Sequence, residues 1–110
     1  MLDEKIMEEQ LSELVRAMLS LENEEEARNF FEDLFTINEL QAVCQRLAVA
    51  RLLRQKVTYQ EIAERTGAST ATISRVNRAL LYGAGGYQRV FTRADGQTAA
   101  QRHEGEEAKR

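Results

Sequence analysis

Twenty-four residues near the middle of the chain, TYQEIAERTGASTATISRVNRALL from Thr58 to Leu81, constrain the fold more than any other stretch. They read as two short helices joined by a tight turn. Ile62, Ala63, Ala68, Ile73, Val76 and Leu80 are spaced so that two steeply crossed helices can bury them between each other. Ala63 is small where the helices approach most closely. Gly67 sits where the chain reverses, a place that suits a residue without Cβ. Thr58 with Glu61 three positions on forms a capping box for the first helix, and Ser69 or Thr70 caps the second.

With Ile73, Val76 and Leu80 turned inward, helical periodicity turns Ala71, Ser74, Arg75 and Arg78 outward and leaves Thr70 and Thr72 at the flank. Short hydroxyls bond phosphate oxygens and base edges, and an arginine fork grips a phosphate or reads guanine in the major groove. The helix N-terminal amides at Ser69 to Thr72 are placed to hold a phosphate. The stretch therefore has the form of a DNA-binding helix-turn-helix, with Ser69, Thr70, Ala71, Thr72, Ser74, Arg75 and Arg78 as candidate contacts. The plainer alternative is a helical hairpin whose polar face is only solvated. The joint occurrence of small residue, turn glycine and apolar lock at this spacing argues against it.

Charge supports the same reading. The net charge of -3 conceals a division: residues 1–45 carry three basic and twelve acidic residues, a balance of -9. Residues 46–93 carry nine basic residues against Glu61 and Glu64, a balance of +7, and residues 94–110 contribute -1. Basic charge is thus concentrated on and around the proposed reading unit, as a phosphate-binding surface requires. Arg51, Arg54, Lys56 and Arg65 are candidates for additional phosphate contacts, though each also reads as a solvated surface charge.

The rest of the chain reads as scaffold. Leu2, Ile6, Leu11, Leu14, Val15 and Met18 form the apolar stripe of a first amphipathic helix. Asn23 before Glu24, Glu25 and Glu26 is a strong start for a second, which carries Ala27, Phe30, Phe31 and Leu34 to Phe35. Thr36 with Glu39 opens a long third helix to about Gln55, striped by Leu40, Val43, Leu47, Ala50 and Leu53 or nearby positions. Proline is absent and helix formers dominate, so the expected class is all-α. The glycine-rich run from Tyr82 to Tyr87 ends regular helix. The expected organisation is a helical domain over 1–91, with the helix-turn-helix at 58–81, and a disordered polar tail over 92–110.

The lone Cys44, among Leu40, Val43 and Leu47, is expected as a buried thiol, and the single His103 supplies no zinc-ligand set. No apolar run is long enough to span a membrane and no signal peptide opens the chain, so a cytoplasmic protein without a membrane partner is expected. A chain of 110 residues buries a modest share of its surface and gains from a partner subunit.

Two stretches, LFTINELQAVCQRLAVARLL and GASTATISRVNRAL, carry a resemblance to a known family. The chain resembles the tryptophan repressor superfamily, in particular its YerC/YecD-type repressor-like branch, over roughly residues 1–93. The resemblance implies an intertwined helical homodimer in which the N-terminal helices of both subunits share a core. It also implies two reading helices about 34 Å apart facing an approximate inverted repeat in double-stranded DNA. In that family a bound tryptophan sits between reading unit and core. Thr36, Arg46 and Arg75 match its pocket positions and form a possible effector pocket here.

Two departures argue against tryptophan as corepressor. Val76 stands where the family has a glycine that makes room, and Ala79 where it has a serine that helps hold the amino group. Each change weakens such binding by about 1–3 kcal/mol. No cofactor is therefore expected, and a different effector is left unidentified.

The function expected from these features is a sequence-specific transcriptional regulator, a repressor, that binds duplex DNA as a homodimer. The alternative is a protein-interaction module, resembling the promoter-reading domains of sigma factors, that works as a monomer beside RNA polymerase with Phe30, Phe31 and Phe35 docking a partner. An enzyme is not expected, because the sequence has no paired-carboxylate constellation outside solvated charge runs, no nucleophile near a histidine and no phosphate-binding glycine loop.

Overall fold

The computed structural model describes residues 3–96 of the 110. Five helices run in order: α1 (Glu4–Leu19), α2 (Glu24–Leu34), α3 (Ile37–Arg54), α4 (Tyr59–Thr66) and α5 (Thr70–Tyr82). A sixth, α6, covers residues 86–96. Among the described residues there is no strand, so the fold is all-α as the composition implies. The chain divides into two compact units, one ending at Gln41 and one beginning at Ala42.

The first unit is built on strong local signals. Asp3 caps α1 by accepting from the Lys5 amide at 3.2 Å, and Asn23 caps α2 by accepting from Glu26 at 2.9 Å. Thr36 and Glu39 form the expected reciprocal box at the start of α3: the Thr36 amide donates to Glu39 Oε1 at 2.9 Å and the Glu39 amide to Thr36 Oγ1 at 3.1 Å. Phe31 meets Phe30 and Phe35 at ring-centroid distances of 6.3 and 6.0 Å. Neither α1 nor α2 buries a residue fully, and the α1 stripe of Ile6, Leu11, Val15 and Met18 stays more than two-fifths exposed.

The second unit has a closed core. Val49, Ala50 and Leu52 of α3, Ile62 of α4, Ala68 of the turn, Ile73 and Val76 of α5 and Phe91 of α6 cluster together. The sequence stripe for α3 is only half right, since Val43 and Leu47 are exposed and Val49 and Leu52 take the buried positions. Apolar residues surround α3 almost evenly, so periodicity alone does not pick the buried face. Cys44 is a correction for the same reason: on the side of α3 that this core leaves open, it is exposed rather than buried.

α6 also corrects the sequence reading, which ends regular structure at the glycine run and assigns residues from 92 to a disordered tail. Gly83 closes α5, Gly85 turns at φ 85°, and the chain then re-enters helix. Tyr87 and Phe91 stack one helical turn apart, with Phe91 buried in the core and Arg54 Cζ 5.7 Å from its ring centroid. Arg54 also pairs with Asp95 at 3.2 Å and bonds Thr92 Oγ1 at 3.4 Å, so residues 92–96 continue the helix. Phe91, with Tyr87 packed beside it, and the anchored Arg54 guanidinium tie α6 to the core. The remainder of the expected tail, 97–110, lies outside the described residues.

Candidate nucleic-acid interface

Two helices, at 59–66 and 70–82, occupy the stretch expected as a helix-turn-helix over 58–81, the second running one residue past its end. Thr58 accepts from the Glu61 amide at 3.3 Å, and Gly67, at φ 72°, ends α4 by donating its amide to Ala63 O at 2.9 Å. Only left-handed backbone lets the chain turn this tightly after the last helical residue. Thr66 reinforces the corner: its hydroxyl donates to Ile62 O at 2.7 Å and accepts from the Ala68 amide at 3.2 Å. Gln45 of α3 donates its amide to Thr66 O at 3.1 Å, satisfying a C-terminal carbonyl of α4 and tying the corner to α3. Sequence reasoning passes over Gln45. Nothing in the sequence separates it from Asn38 and Gln41, the other amide side chains of α3.

α5 presents two faces. Ile73, Val76 and Leu80 are buried, while Thr70, Ala71, Ser74, Arg75 and Arg78 are exposed and Thr72 is half-buried at the flank. The division is the one helical periodicity predicts from the sequence. Ser69 has a different task from its neighbours. Its Oγ accepts from the Thr72 amide at 3.1 Å and lies 3.1 Å from Thr72 Oγ1, so it fixes the helix start. The first-turn amides of Thr70 and Ala71 then project from the helix end without intrahelical acceptors.

The cations sort into two groups. Arg54 is engaged with Asp95, Thr92 and Phe91, and Arg65 lies 3.9 Å from Glu61. Arg46, Arg51, Lys56, Arg75 and Arg78 are exposed and make no ion pair among the described residues. Two of the three candidate effector residues come together, for Arg46 and Arg75 line one cleft of about 120 Å³ with Ala42, Gln45, Thr72 and Val76. Val76 is 2 % exposed and belongs to the core. Ala79 instead borders a separate apolar groove with Leu47, Gly83 and Tyr87. Thr36, in the first unit, is engaged in capping α3.

This arrangement, a core-seated hairpin of helices that turns hydroxyls and arginines outward, can be set beside known proteins. Residues 9–95 match the sequence model of the Trp repressor protein family. The chain belongs to the Trp repressor family. YerC of Bacillus subtilis (strain 168), itself uncharacterized, is 50% identical over 90 residues, which span 82% of this chain and 86% of YerC. A solved Trp-repressor-like protein from Eubacterium eligens ATCC 27750 is 53% identical, with a TM-score of 0.78 over 84% of this chain and 96% of its own. A candidate Trp repressor from Staphylococcus aureus is 47% identical, with a TM-score of 0.77 over 86% of this chain and 95% of its own. These likenesses establish the all-α, Trp-repressor-like fold. Among the described residues, no helix is long and apolar enough to cross a membrane.

Proposed function

We propose that this protein is a transcriptional repressor that binds an inverted-repeat operator in duplex DNA as a homodimer and does so without tryptophan. The observation that carries the reading is the two-faced α5: Ile73, Val76 and Leu80 seat it, and Ala71, Ser74, Arg75 and Arg78 face outward, in a chain that matches the Trp repressor family over residues 9–95. Thr70 and Ala71, at the N-terminal end of α5, meet base edges first, while Arg75 and Arg78 reach guanine or phosphate. Arg46 and Arg51, which make no ion pair among the described residues, extend the positive surface.

A homodimer is supported by what the first unit leaves open. Ile6, Met7, Leu11, Val15 and Met18 line α1 at 42 to 53% exposure, an apolar stripe that water covers at high cost. A second copy of the same surface would bury it by two-fold symmetry. Independence from tryptophan is supported by Val76, whose side chain fills space beside Arg46 and Arg75. The cleft left there, about 120 Å³, is small against the ~300 Å³ at which ligand pockets begin.

Sedimentation of the protein, alone and with duplex DNA, tests the assembly. A dimer mass in both, with DNA binding unchanged by added tryptophan, agrees with the proposal. A monomer that binds no DNA favours a partner-docking module beside RNA polymerase instead.

A further inference from the structure

Lys56 is the one non-glycine residue at positive φ among the described residues, at 67°. Its conformation closes α3: the Lys56 amide donates to Leu53 O at 3.0 Å and the Val57 amide to Leu52 O at 3.1 Å. Val57 then packs against the core. This double bond pattern calls for a left-handed residue, a position that helices fill with glycine because a Cβ there crowds the neighbouring carbonyl. The lysine makes no compensating side-chain hydrogen bond or ion pair among the described residues. Its side chain is exposed and its ammonium pairs with no carboxylate among the described residues.

The surroundings sharpen the contrast. Arg54, two residues earlier, is held by Asp95 and Thr92, and Arg65 has Glu61 beside it. Lys56 has no such partner among the described residues and sits in the turn that feeds α4, just ahead of the Thr58 cap. In a helix-turn-helix the first helix crosses the DNA backbone while the second enters the groove. A cation at the entry to that first helix meets phosphate rather than a base edge. We propose that Lys56 is a phosphate-gripping, positioning residue, a cation kept at a left-handed site to hold the duplex backbone beside the reading helix. The inference rests on the DNA-binding reading above.

The test is anisotropy titration of the full chain against a labelled mixed-sequence duplex over a range of salt concentrations. Lys56→Gly and Lys56→Gln are compared with wild type and with Lys5→Gln, a charge-matched control in the acidic first unit. Each lost phosphate contact lowers the slope of log K against log salt by about 0.9, so a dimer that carries Lys56 twice loses about 1.8. Both Lys56 variants are expected to show that loss while Lys5→Gln keeps the wild-type slope. Lys56→Gly is also expected to melt at or above the wild-type temperature, because glycine relieves the backbone. Wild-type binding with unchanged slopes in both Lys56 variants overturns the inference and leaves the DNA-binding reading standing. A lower melting temperature for Lys56→Gly overturns the claim that the site disfavours lysine. No binding by wild type overturns both readings together.

Discussion

Phe91→Ala measures whether α6 belongs to the folded domain. Phe91 is 8% exposed, clusters with Val49, Ile62, Ile73 and Val76, stacks on Tyr87 and lies beneath the Arg54 guanidinium. Truncating a buried phenylalanine costs about 3–5 kcal/mol, through lost transfer energy and the cavity left behind. The Tyr87 stack and the Arg54 contact are each worth about 1 kcal/mol, and they fall inside that range rather than adding to it. Against a total stability of about 5–15 kcal/mol, the change removes a large share. With a urea slope of about 2 kcal/mol/M for a small domain, the unfolding midpoint falls by about 2 M. The assay is urea unfolding followed by far-ultraviolet circular dichroism, with wild type and variant at the same protein concentration because self-association adds to apparent stability. A shift worth less than about 1 kcal/mol refutes the packing of α6 and restores the reading in which regular helix ends at the glycine run.

Arg75→Ala is expected to lose specific duplex binding while keeping the wild-type sedimentation behaviour, since Arg75 is exposed and pairs with no carboxylate among the described residues; unchanged affinity in a gel-shift titration removes α5 as the reading helix. Gly67→Ala is expected to cost about 1–2 kcal/mol by thermal melting, from the backbone at φ 72° alone, because a Cβ there meets no atom within 4 Å. The Thr36 amide and then its hydroxyl hold the Glu39 carboxyl below its ordinary value of 4.5. A depressed carboxylate stabilises the fold above its unfolded value and loses that contribution as pH falls through the folded one. Glu39→Gln is therefore expected to narrow the gap between melting temperatures at neutral and strongly acidic pH, and an unchanged gap contradicts the capping role.

The reading unit was legible in the sequence because each of its signals is local. Thr58 with Glu61, Gly67, and Ser69 ahead of Thr72 fix helix ends through bonds between residues three or four apart, and the spacing of Ile73, Val76 and Leu80 sets which face turns inward. Cys44 and the α3 stripe are misjudged where local pattern says least, on a helix whose apolar and polar residues are spread almost evenly about its axis. α6 escaped because glycine density and polar composition argue for disorder, whereas its order depends on contacts to Arg54 and the core far earlier in the chain. Tyr87, Val90 and Phe91 at helical spacing were the available hint. Gln45 is likewise a long-range partner, 21 residues from Thr66, and carries no motif.

Selection of binding sites from a random pool of duplex DNA at near-physiological salt, run in parallel with and without tryptophan, tests the central claim most directly. A dimeric repressor that needs no tryptophan recovers the same inverted repeat in both arms, with half-site centres about 10 base pairs apart or a multiple of that. Recovery of the repeat only with tryptophan contradicts the role given to Val76, and recovery of no repeat in either arm contradicts the dimeric DNA reader itself.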